Sequence, residues 1–188
     1  MDENCLFGNW KKALLLSLQL EQTGSETRKS LDELASLVES LGAQVTERII
    51  QNRTQIHPAY YFGKGKLSFI KQALHQQQAD AVIIDASLSP KQTRNLEHTL
   101  KRPVLDRTQM ILEIFARNAR SSEAKLQIEL ARSEYLLPRL AGLWKHLDRE
   151  RGGIGVSRGG GEKQIEKDRQ YLRRRISRLK DEIKRIER

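Results

Sequence analysis

The chain has 188 residues, of which 38% are hydrophobic, and its 34 lysines and arginines against 24 aspartates and glutamates give a formal net charge of +10. This composition excludes a disordered chain and favours polyanions, nucleic acid above all, as partners. A single cysteine, Cys5, excludes an intrachain disulfide, and the four histidines are scattered, so we expect no metal site. No segment approaches the ~18 apolar residues of a membrane span, so we expect a cytoplasmic protein.

The first predicted elements alternate between strand and helix. An apolar run from Ala13 to Leu20 predicts a buried strand, and leucines at helical spacing predict a helix from Lys29 to Leu41. Alternating apolar residues predict a second strand from Ala43 to Gln55. The residues from Lys64 to Gln77 again repeat with the period of a helix.

The same alternation continues through two more strands. Ala81 to Asp85 is rich in β-branched residues and predicts a third strand, and Pro103 to Asp106 predicts a short fourth one. Between them, Ser89 and Pro90 predict a helix start, because serine caps free amides and proline suits the first helical position. Four such alternations imply a parallel sheet with flanking helices, so we predict an α/β domain over residues 1–106.

Beyond the fourth strand the pattern is helical only. Arg107 to Arg117 predicts a bridging helix, and apolar residues at steps of three and four predict a helix of about 40 Å from Ser122 to Leu147, bent at Pro138. A second amphipathic helix follows from about Glu162. We therefore predict that residues 107–188 form a long antiparallel helical hairpin, a coiled-coil-like arm.

Six glycines lie between residues 151 and 161, at the tip of the predicted hairpin. Their amides could approach an anion closely, and a helix N-terminus follows them. The segment is open to three interpretations: a nucleotide loop, a flexible linker, or a surface for polyanions. The chain has no G-x-x-x-x-G-K-[ST] motif, which disfavours the first. Lys64 and Lys66, in a Gly-Lys-Gly-Lys run, remain candidates for contact with a nucleotide or RNA.

The positive charge is concentrated in the arm. Residues 145–188 contain 15 lysines and arginines against 8 aspartates and glutamates, which accounts for +7 of the net charge. This distribution favours contact with phosphates at the tip, most plausibly those of RNA. The arginine run 173–175 also fits an ordinary solvated helix face.

Several motifs in order resemble the N-terminal region of the HflX family, translation-factor-class GTPases that act on the large ribosomal subunit. The residues that carry the resemblance are Tyr61-Phe-Gly-Lys-Gly-Lys66, the run from Asp85 to Leu96, Val104-Leu-Asp-Arg-Thr108, Ile114-Phe-Ala-Arg117, Lys125 to Leu130, Tyr135 to Leu140, and Gly152 through Glu162 to Arg169. Gly160, Lys163 and Gln170 depart from the usual family residues.

The resemblance implies an α/β domain, a helical hairpin and then a G domain, where GTP and Mg²⁺ would bind. The chain would end where that G domain begins, so we expect no cofactor in it and no GTP hydrolysis by it alone. The implied partner is the large (50S) ribosomal subunit with its rRNA. The residues expected to contact RNA, from the resemblance and from their charge, are Arg149, Arg151, Gly152, Gly153, Gly155, Arg158, Gly159, Gly161, Glu162, Arg169 and Arg173.

Two alternatives remain open from the sequence. The α/β domain could bind a nucleotide of its own, and the arm could be a structural or dimerising coiled coil. We expect a monomer, because the two apolar stripes of the arm can serve as each other's partners.

Overall fold

The computed structural model describes residues 10–20, 24–140 and 160–186. Contacts between Cα atoms divide the chain into two compact units, Met1–Ile114 and Phe115–Arg188. The predicted domain boundary at Asp106 coincides with the end of the last strand, whereas these units meet within the helix that follows it.

The first unit contains a four-stranded parallel sheet, which confirms the predicted α/β class. Its strands are β1 (Lys12–Leu20), β2 (Gln44–Arg53), β3 (Ala81–Ile84) and β4 (Val104–Asp106). They lie in the order β2-β1-β3-β4, and every neighbouring pair is parallel. The chain thus moves from β1 to β2 on one side and then crosses to β3 on the other.

The strand β1 lies inside the sheet and is buried on both faces. Its residues 13–18 are all buried, as expected for a central parallel strand covered by helices on each side. Because side chains alternate along a strand, Leu14, Leu16 and Leu18 share one face and join a core cluster with Phe62 and Ile70.

The helices of this unit are α1 (Gly24–Ser40), α2 (Lys64–Gln76), α3 (Pro90–Leu100) and α4 (Arg107–Asn118). The predicted Ser89 and Pro90 start of α3 is confirmed. The Ser89 hydroxyl accepts a hydrogen bond from the Gln92 amide at 3.2 Å, and the Gln92 side chain accepts one from the Ser89 amide at 3.0 Å. This capping box satisfies two amides at the helix start.

The second unit contains α5 (Ser122–Leu136), a 3₁₀ turn (Leu137–Arg139) and α6 (Gly160–Ile186). The side chain of Ser121 caps α5 by accepting from the Ala124 amide at 3.1 Å. The α-helix gives way to the 3₁₀ turn at Pro138, which lacks the amide hydrogen that an α-helix would use. The predicted continuation of this helix to Leu147 lies outside the described residues.

The contacts between α5 and α6 do not confirm the predicted antiparallel hairpin. Arg175 pairs with Glu129, and Lys180 pairs with Glu134. The residue numbers of the paired side chains therefore increase together along the two helices. This order is expected for helices that run in the same direction. An apolar stripe specifies which face of a helix is buried and leaves the direction of its partner open.

Candidate functional site

Most of the predicted RNA-contacting residues lie outside the described residues: Arg149, Arg151, Gly152, Gly153, Gly155, Arg158 and Gly159. Gly161 and Glu162 belong to the first turn of α6. Arg169 and Arg173 lie further along that helix, where their guanidinium groups come within 3.8 Å and 3.7 Å of the Glu166 carboxylate. These ion pairs are partly exposed and therefore weak, so both arginines could exchange Glu166 for a phosphate.

The side of α6 that faces α5 is occupied by packing and ion pairs. Leu179 and Ile183 are buried, and so are Leu136 and Leu140 of the preceding segment. The paired side chains of Arg175 and Lys180 are each about half exposed. The remaining surface of α6 is the part that another molecule could reach.

The Gly-Lys-Gly-Lys run forms a turn and the first residues of α2. The Gly63 amide donates to the Gln51 side chain at 3.0 Å, and a Cβ at Gly63 would lie 2.8 Å from Nη1 of Arg53. Lys64 is exposed, whereas Lys66 lies over the ring of Phe69, with Nζ 4.3 Å from the centroid. These contacts favour the interpretation of this run as a tight turn at a helix start.

A pocket of about 300 Å³ opens near this turn, at the carboxyl ends of β1 and β2. Carboxyl ends of parallel strands are where α/β sheets commonly bind ligands. Its lining residues are Gln19, Leu20, Asn52, Arg53 and Thr54, and neither Lys64 nor Lys66 is among the described residues that line it. The candidate phosphate ligands predicted from the sequence and the pocket therefore do not coincide.

Other polar residues from the family motifs meet at the same edge of the sheet, beyond β3 and β4. Arg107 donates to Asp85 at 2.8 Å, to Ser30 at 2.9 Å and to Glu33 at 2.5 Å. The hydrogen bond to Asp85 is the main cause that raises the pKa of Arg107. Arg107 thus ties the ends of the sheet to α1, and its charge is neutralised by two carboxylates.

The buried Tyr61 lies in the motif after β2 and has a left-handed backbone, with a φ of 64°. Burial raises the pKa of its hydroxyl, and the charge of Asp85 raises it further. A positive φ is uncommon outside glycine, so the surrounding structure must hold this conformation.

Helix α3 supplies much of that support. The Asn95 side chain donates to the carbonyl of Ala59 at 2.9 Å. Within the loop, Nδ1 of His57 accepts from the amides of Ala59 and Tyr60, both at 3.2 Å. No local sequence pattern predicts a role for His57 or Asn95. Asn95 lies within the motif run from Asp85 to Leu96, which was the signal that could have identified it.

Within residues 10–20, 24–140 and 160–186, no group of three or more potential metal ligands comes together. None of the helices in this part of the chain is both long and apolar enough to cross a bilayer.

Two adjoining family models match the chain, and together they define the class of protein. The family described as GTP-binding GTPase N-terminal matches residues 28–116, and the one described as GTP-binding GTPase Middle Region matches residues 118–188. The first match covers β2, β3 and β4 with the helices around them but begins after β1, and the second covers the helical arm. The fold and the arm are therefore those of the N-terminal and middle regions of a GTP-binding GTPase.

Similar proteins narrow the assignment. GTPase HflX of Spirochaeta thermophila is 45% identical over 89% of this chain, and GTPase HflX of Escherichia coli is 42% identical over 94%. The chain covers 41% of the length of each. It belongs to the HflX family and corresponds to the N-terminal part of those proteins.

Solved structures share the fold. A GTP-binding protein from the archaeon Sulfolobus solfataricus, in complex with GDP, has a TM-score of 0.60 and 28% identity, over 94% of this chain and 46% of that one. A complex of SsGBP with GDP has a TM-score of 0.65 at the same identity, over 94% of this chain and 44% of that one.

Proposed function

We propose that this chain is the ribosome-binding, N-terminal part of a GTPase that associates with the large ribosomal subunit in translation, ribosome rescue and splitting, or ribosome biogenesis. One observation carries the proposal: a chain of the HflX family has a net charge of +7 in residues 145–188 out of +10 overall. Phosphate contacts supply most of the sequence-independent affinity of proteins for nucleic acid, so this region is suited to rRNA.

In this proposal the glycine-rich segment matches the shape of the RNA surface, and the surrounding arginines provide the affinity. Backbone without Cβ atoms can enter a crowded RNA surface, while Arg149, Arg151, Arg158 and Arg169 contact phosphates. An antiparallel hairpin with this segment at its tip belongs to the same proposal, and it would apply to the subunit-bound state. GTP and Mg²⁺ would act in a G domain of the whole protein, which would work in the cytoplasm as a monomer.

Co-sedimentation with separated ribosomal subunits, at two salt concentrations, tests the proposal. We expect binding to the large subunit that weakens steeply with salt, by roughly 0.7 to 0.9 in log affinity per contacted phosphate for each unit of log salt. Replacing Arg149, Arg151, Arg158 and Arg169 with alanine should flatten this dependence. Unchanged binding by that variant would refute the assignment of the site.

A second candidate function rests on the pocket at the carboxyl ends of β1 and β2. Its amides, hydroxyl and guanidinium could bind a small polar ligand such as a nucleotide. Titration calorimetry with ATP and GTP tests it, and Arg53→Ala should abolish any heat of binding that arises there. No heat with either nucleotide would remove nucleotide binding as a function of this pocket.

A further inference from the structure

The outer face of α6 carries a basic stripe with a tyrosine inside it. With about 100° between successive residues of an α-helix, five side chains fall within a sector of roughly 60°. All are exposed: Lys167, Tyr171, Arg174, Arg178 and Arg185. From Lys167 to Arg185 the stripe extends for about 27 Å. We call these five residues the outer stripe.

The outer stripe is separate from the part of α6 that packs on α5. Leu179 and Ile183 are buried on the packed side, and Arg175 and Lys180 on its flanks have carboxylate partners from α5. The four cations of the outer stripe make no ion pair among the residues that the structure describes. Asp181 and Glu182 lie at the two edges of the stripe, so the face as a whole has a charge of +2.

Tyr171 is the unusual member of the stripe. Its side chain is 59% exposed, although a tyrosine of this size gains free energy from burial. Its hydroxyl accepts a hydrogen bond from Nη1 of Arg175 at 2.9 Å, and the same arginine donates from Nε to Glu129. The ring is therefore tethered through α5, which lowers the conformational entropy that it would lose on binding.

A row of cations with an exposed aromatic ring matches the chemistry of single-stranded nucleic acid. Cations spaced along a helix follow a phosphate backbone, and an aromatic ring stacks on an unpaired base. Two copies of the stripe would repel each other, which disfavours a dimer through this face. A bilayer surface would require a broad apolar face, and that of α6 is packed on α5.

We propose that the outer stripe of α6 binds a single-stranded or looped RNA segment, with its cations on successive phosphates and an unpaired base stacked on Tyr171. This inference deepens the proposed function and rests on it for the RNA class of the partner. The stripe is a second contact, formed by residues other than those of the glycine-rich segment.

Fluorescence anisotropy with a labelled 15-nucleotide RNA, single-stranded and as a duplex of the same sequence, tests the proposal. We expect the single strand to bind more tightly. Changing Lys167, Arg174, Arg178 and Arg185 to alanine should weaken binding at least tenfold and lower the salt slope by about 2 to 3. Tyr171→Ala should weaken it about 5- to 100-fold with the salt slope unchanged, and Tyr171→Phe should retain most of the affinity.

A charge-matched control separates the stripe from general electrostatics. Alanine at four exposed cations of the α/β unit, Arg28, Lys29, Lys71 and Lys91, removes the same charge elsewhere. Equal loss in the control and stripe variants would overturn the proposal, as would full affinity in Tyr171→Ala or a preference for the duplex. Binding of the chain to anionic lipid vesicles that depends on the stripe, with no effect on RNA, would assign the face to a membrane instead.

Co-sedimentation of the chain with ribosomal subunits, together with the oligonucleotide assay, distinguishes a failure of this inference from a failure of the proposed function. If the chain fails to sediment with large subunits yet binds the oligonucleotide through the stripe, only the ribosomal assignment fails. If it sediments with them but the stripe variants behave like the control in both assays, only the stripe fails. Circular dichroism melting of each variant ensures that lost binding is not lost folding.

Discussion

Arg107 and Asp85 lie 2.8 Å apart at the carboxyl edge of the sheet, and the side chain of Asp85 is only 4% exposed. Removing the arginine would leave a nearly buried carboxylate without its cation. We expect Arg107→Ala to lower the free energy of unfolding by about 3 kcal/mol. Urea denaturation of the variant measures this loss.

Arg48 provides the matched control, because its ion pair with Asp32 lies on the surface, with side chains 44% and 65% exposed. Exposed pairs contribute little, so Arg48→Ala should change stability by no more than about 1 kcal/mol. Similar losses in both variants would contradict a special role for the Arg107 and Asp85 pair.

Glu97 gives the α/β unit a dependence of stability on pH. Burial raises the pKa of this carboxyl to about 7, and the hydrogen bond that the Val104 amide donates to it acts in the opposite direction. The folded state therefore binds the proton of Glu97 more tightly than the unfolded state does. The contribution of this proton to the free energy of unfolding is fully present below about pH 4.5. It is lost as pH rises towards 7.

The variant Glu97→Gln keeps an acceptor for Val104 and removes the titration. We expect it to match the wild type at pH 4 and to exceed it by about 3 kcal/mol at pH 8. Chemical denaturation at several pH values measures the difference between the two proteins. A difference that stays constant with pH would show that Glu97 titrates normally in the folded chain.

Ser89 begins α3 with a capping box, and its loss should weaken the helix that supports the Tyr61 loop. We expect Ser89→Ala to cost about 1 kcal/mol, because the Gln92 amide loses its partner. Ser68→Ala, at an exposed position inside α2, should be neutral or slightly stabilising. Thermal melting compares the two, and equal effects would mean that the cap contributes nothing.

Asn95 connects α3 to the loop before Tyr61 through the carbonyl of Ala59. Asn95→Ala should cost about 1 kcal/mol and increase amide hydrogen exchange in residues 57–61 more than in the strands. Thr99→Ala, which removes a hydrogen bond within α3 only, serves as the comparison. Equal exchange in the loop of both variants would count against support of this loop by Asn95.

Local sequence patterns were enough to predict much of the first unit. The strands were recognised by short apolar runs, and the start of α3 by Ser89 and Pro90, because these preferences act within a few residues of the chain. The family motifs around Tyr61, Asp85 and Arg107 were also identified. Their roles were not, because no local rule connects residues that far apart in the chain.

The sequence by itself determined the alternation of strands and helices, hence the parallel α/β sheet, and the amphipathic character of the arm. Only the tertiary structure decided the partners of Arg107, the left-handed backbone at Tyr61 and the order of contacts between α5 and α6. Periodicity depends on the geometry of one element at a time, so it shows which face is buried. Which residue meets that face, and in which direction, depends on how separate elements pack together.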